Sequence, residues 1–106
     1  MPKYLVTASY TPEGARGVLR AGGTSRRDAV AKLAEDLGGS LESFYFAFGG
    51  TDVFVVLDLP DNESAAAASL AVGASGAATA QVVVLLAPAD IDTASQRAVS
   101  YRAPGS

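Results

Sequence analysis

Alternation and helical spacing divide the chain into a short series of elements. Residues 3–10 alternate, with Leu5, Thr7 and Ser9 toward one side and Tyr4, Val6, Ala8 and Tyr10 toward the other, which predicts a strand. Thr11-Pro12-Glu13 then supplies a cap, a proline suited to the first helical position and a carboxylate that complements the helix dipole. A short helix is predicted to about residue 20, stopped by Gly22-Gly23. Ser25 with Asp28 three residues on resembles a capping box, and Ala29, Val30, Leu33, Ala34 and Leu37 share one helical face before Gly38-Gly39 ends the stretch. An aromatic-rich strand over 41–48 and a second strand over 52–59 flank the glycine turn 49–51. Pro60 stops the second of these, and Asp61 or Asn62 caps an alanine-rich helix to about residue 72, which Gly73 and Gly76 are expected to break. Residues 78–86 read as a fourth strand, and a short terminal helix is predicted from Pro88 to about residue 98. One domain over 1–99 and a tail over 100–106 follow.

Strand, helix, strand, strand, helix, strand is the split βαβ order, an α+β fold of the ferredoxin-like βαββαβ type with a four-stranded antiparallel sheet and the helices on one face. The uncovered face of such a sheet ordinarily turns polar residues to water. These strands do not. The third places Val53, Val55, Leu57 and Leu59 on one side and Phe54 and Val56 on the other; the fourth divides into Val83 and Leu85 against Val82, Val84 and Leu86. Burying such a side chain is worth roughly 1.5–3 kcal/mol, so about six left in water forgo on the order of 10 kcal/mol, comparable with a whole domain's stability. A homodimer or higher oligomer is therefore expected, with Val53, Val55, Leu57, Val83 and Leu85 as interface residues.

Composition narrows the chemistry. A net charge of −3 argues against a nucleic-acid partner. Cysteine and histidine are both absent, which excludes disulfides, thiolate zinc sites, cysteine nucleophiles and imidazole-based triads; neither a metal nor a cofactor is expected. Residues 64–89 carry no charge, yet alanine, glycine and polar residues interrupt them, so helix, turn and buried strand describe them better than a membrane span. No signal peptide is read at the start, and a cytoplasmic protein is expected.

Several runs carry a family likeness: Thr11-Pro12-Glu13-Gly14, Ser25-Arg26-Arg27, Leu37-Gly38-Gly39, Leu41-Glu42-Ser43-Phe44-Tyr45-Phe46, Phe48-Gly49-Gly50-Thr51-Asp52 and Leu57-Asp58-Leu59-Pro60-Asp61-Asn62. In order and spacing these resemble the GYD domain family of small bacterial proteins, over roughly residues 3–95. The resemblance implies a subunit of the dimeric α+β barrel type, in which two sheets pack face to face. Gly49 and Asp52 match the Gly, Tyr, Asp signature behind the family's name, while Thr51 stands at the tyrosine position. Relatives by fold include monooxygenases, isomerases and plain ligand binders, so the fold does not choose a reaction.

Candidate site residues have structural readings beside functional ones. Asp52 opens a strand after the glycine turn, as a pocket carboxylate or as turn chemistry. Asp58 is an acid or base if buried near its strand end, and a solvated side chain otherwise. Tyr10 is the tyrosine that would work with either. Arg16, Arg20, Arg26 and Arg27 flank the Gly22-Gly23 joint and together suit a carboxylate or phosphate, or else pair with Glu13 and Asp28. Tyr4, Tyr10, Tyr45, Phe44, Phe46 and Phe48 line a pocket or fill core and interface. Tyr101, in the tail, reaches a neighbouring subunit or lids a cleft, or frays. The favoured function is a homo-oligomeric protein that binds a small organic molecule or serves as an accessory. The alternatives are a cofactor-independent enzyme in which a carboxylate and a tyrosine move a proton, and a structural assembly subunit.

Overall fold

The computed structural model describes residues 1–105. It contains β1 (Lys3–Tyr10), α1 (Pro12–Ala21), α2 (Gly23–Asp36), β2 (Ser40–Phe46), β3 (Val53–Asp58), α3 (Asn62–Ala74), β4 (Ala78–Leu85) and α4 (Pro88–Ser95). The four strands form one antiparallel sheet in the order β2-β3-β1-β4, as the ferredoxin-like reading requires. The β1-to-β2 connection passes over β3 and the β3-to-β4 connection passes over β1, which places the helices of both crossings on one face. No helix among the described residues is long and apolar enough to cross a membrane.

Local chemistry sets the element ends. Thr11 caps α1, its Oγ1 accepting from the Gly14 amide at 3.2 Å, with Pro12 at the first helical position. The Thr11 hydroxyl also donates to the Gly76 carbonyl at 2.9 Å, which ties α1 to the start of β4. Gly14 faces the Ala77 carbonyl so closely that a Cβ would overlap it. Gly22, at φ 87°, ends α1, and α2 begins at the next residue. Ser25 and Asp28 therefore lie inside α2 rather than forming its cap, and α2 starts with no side-chain cap at all. Asp61 caps α3, its Oδ1 accepting from the Ser64 amide at 2.8 Å and hydroxyl at 2.7 Å. That helix runs through Gly73, which costs a helix interior only about 1 kcal/mol, and the chain turns at Gly76 instead, where φ is 73°.

The core lies between the helices and one sheet face. Strand pairing puts Leu57, Val55 and Val53 beside Tyr4, Val6 and Ala8. Val53 and Val55 are 3% exposed and Leu57 2%, and all three join Leu59, Tyr4, Ala34 and Ala65 beneath the helices. The expectation that Val53, Val55 and Leu57 form a subunit interface is thus corrected: they are core. Val83 and Leu85 belong to the opposite, open face, where β4 pairs them with Leu5 and Lys3. Tyr45, Phe54 and Val56 share that face. At one end of it the Lys3 ammonium bonds Glu42 at 2.8 Å and Asp58 at 2.9 Å. Every residue from 86 to 105 is exposed, and α4 buries none of its side chains. The radius of gyration, 16.8 Å, exceeds the about 13 Å of a compact chain of this size, and the long axis reaches 56 Å.

Candidate functional site

α2 packs on β2 and α3 on β4, and the two helices leave a gap between them over the middle of the sheet. The gap is a cavity of about 340 Å³. Its floor is Val6 and Ala8 of β1 with Val53 and Val55 of β3; its walls include Val30 and Leu33 of α2 and Ala68, Ala71 and Val72 of α3. The sequence makes this space by spending alanines where a helix would ordinarily project larger side chains. Leu57, Phe44 and the alanines Ala29, Ala77, Ala78 and Ala80 add to the lining, so the interior is mostly apolar.

Polar groups enter only from a few positions: Tyr10, Arg26, Ser69 and Ser75. Arg26 is, among the described residues, the one charged residue of the lining. It is exposed, and among the described residues it has no ion pair. Burial pushes the Tyr10 phenol above its usual pKa; the Arg26 guanidinium opposes that rise and the Asp52 carboxylate adds to it. The phenol therefore stays protonated at neutral pH and can donate a hydrogen bond.

Tyr10 also borders a second, more open hollow of about 410 Å³ at the end of the sheet, with Val18, Gly23, Phe46, Phe48 and Asp52. Phe46 rests edge-to-face on Phe44, ring centres 5.1 Å apart. Asp52 is engaged by backbone here. Its Oδ2 accepts from the Tyr10 amide at 2.9 Å, its own amide donates to the Ala8 carbonyl at 2.9 Å, and its carbonyl accepts from the Ala47 amide at 2.8 Å. The carboxylate thus fastens the β2–β3 turn to the end of β1.

The remaining sequence candidates scatter. Asp58 is paired with Lys3 on the open face, away from the cavity. Arg27 bonds Asp28 at 2.9 Å, and neither it nor Arg16 nor Arg20 lines either hollow, so the four arginines do not form one site. Tyr45 is 70% exposed opposite Phe54, and Tyr101 is 77% exposed beyond α4. Tyr4 is core, its hydroxyl donating to Asn62 Oδ1 at 2.7 Å. The structure brings Tyr10 and Arg26 together at one cavity and Tyr10 and Asp52 at the other. Sequence reasoning missed the alanine lining; the available signal was the alanine content of residues 65–71, of which Ala68 and Ala71 border the gap.

No curated protein and no solved structure matches the chain. The family model of the GYD domain matches residues 4–94. With so much of its 106 residues covered, this chain belongs to the GYD domain family.

Proposed function

We propose that this protein is a homo-oligomeric binder of a small organic molecule, held in the gap between α2, α3 and the sheet. The observation that carries this reading is the cavity itself. Its volume of about 340 Å³ falls within the range of small-molecule sites, roughly 300–1,000 Å³, and its lining is apolar with few polar groups. The space opens to solvent beside the exposed Arg26, so a small molecule could enter it without the core rearranging.

Catalysis by a carboxylate and a tyrosine finds less support. Among the described residues no carboxylate lines the α2–α3 cavity, Asp52 is bonded to backbone at the other hollow, and Asp58 faces away. The oligomer rests on the open face, where Phe54 is 41% and Val83 47% exposed beside Leu5, Val56 and Leu85. A second copy laid over that face would bury them and remove a patch that invites nonspecific association.

Native mass spectrometry of protein purified from its own host tests both parts together. The expected spectrum is an oligomer with added mass from a bound small molecule. Empty oligomers, with no small molecule released on denaturation, would count against the binding role; monomers alone would remove the oligomer.

A further inference from the structure

The cavity's polarity is one-sided, and that asymmetry selects among ligands. The following rests on the small-molecule reading of the cavity. We infer that the ligand is an amphipathic carboxylate, its apolar body between α2 and α3 and its head group against the Arg26 guanidinium and the Tyr10 hydroxyl. Three observations support it. Among the described residues the lining holds a single charged side chain, and it is a cation in a chain whose net charge is −3. That cation has no ion pair among the described residues, whereas Arg27, its neighbour, is already matched to Asp28. Tyr10, on the same lining, keeps its proton and offers a neutral donor beside the guanidinium.

The chemistry fits a carboxylate better than an ammonium or an alcohol. A planar guanidinium meets a carboxylate through two parallel N–H···O bonds. An ammonium head would repel Arg26, and a hydroxyl head would leave its charge unmatched. Arg26 lies exposed at the rim, so a carboxylate there keeps partial contact with water while its chain enters the apolar interior, which avoids the cost of burying an ion pair outright. The cavity is at the small end of the usual range, which points to a medium-length alkyl chain or a single aromatic ring.

Titration calorimetry with octanoate, octanol and octylammonium separates the parts. Octanoate is expected to bind tightest of the three. Arg26→Gln should weaken octanoate roughly ten-fold to a hundred-fold, the scale of a hydrogen bond to a charged group, and leave octanol unchanged, while Arg27→Gln should alter neither. Ala71→Phe, which fills the cavity, should abolish binding of both. Octanol binding as well as octanoate, or Arg26→Gln leaving octanoate unaffected, would overturn the carboxylate assignment and leave the apolar site standing. No binding by any probe would overturn the assignment and the cavity reading together, and octanoate binding undiminished in Ala71→Phe would place the site elsewhere.

Discussion

Asp61 shows how much one side chain settles. A single carboxylate oxygen receives two hydrogen bonds from Ser64, one from the hydroxyl and one from the amide, and these hold the Asp61 pKa below the usual carboxylate range. A lowered native pKa means that the unfolded chain takes up the proton first as acid is added. The stabilisation is then complete above the unfolded carboxylate's pKa and drains away as pH falls toward the native one, from about pH 5 downward. Asparagine caps helices nearly as well as aspartate but does not titrate there. Thermal midpoints followed by circular dichroism should therefore show wild type ahead of Asp61→Asn at pH 6, with the gap closing toward pH 3. Parallel curves across that range would show that Asp61 contributes through its shape and not its charge. Asp52 works by similar means in a different place, its oxygen tied to the Tyr10 amide, and that occupation is why a residue placed like a catalytic group serves to hold a turn.

The strands and helices follow from signals a few residues long: Thr11-Pro12, Gly38-Gly39, Pro60 and the Asp61 cap all fall where the chain changes direction. The faces of the sheet do not follow in that way. Alternation in β3 separates Val53, Val55 and Leu57 from Phe54 and Val56, but with apolar residues on both sides it cannot say which set lies under the helices. Pairing with Tyr4 and Val6 decides that, and pairing is a long-range property. For the same reason Arg26 was legible only as one of four arginines, since its place at the cavity depends on where α2 lies above the sheet. The corrected assignment has a direct test. Leu57→Ala should cost about 2–5 kcal/mol in urea unfolding, the usual range for a buried leucine, without changing the association state of the folded protein. Phe54→Asp should do the reverse: if the open face carries the proposed oligomer, light scattering should show it dissociated while the monomer keeps its fold. A Leu57→Ala protein that is stable but monomeric would return the interface to the helix-covered face.

At the scale of the molecule, the surface left unfinished by one chain is divided between the open sheet face and the arm that follows β4. The arm carries Leu86, Ile91, Val99 and Tyr101, all exposed, and its helix has eight residues, too few to persist without packing. The arm leaves directly from the strand that holds Val83 and Leu85, so a second copy placed on the open face, as proposed, would lie within its reach. Removing residues 88–106 should weaken the proposed association in sedimentation or light scattering while the sheet and its core keep their cooperative melting; unchanged association would assign the arm another role. The gap between α2 and α3 has a consequence of another kind. Each helix is seated on a different edge of the sheet, and the proposed ligand between them would supply packing that the polypeptide itself omits. Such a guest would act as a replaceable part of the core. At a hundred times its dissociation constant it would add roughly 2.7 kcal/mol to stability. Where proteases remove whatever unfolds, an increment of that size changes how long a protein survives, so the supply of the small molecule would govern how much of the protein a cell retains.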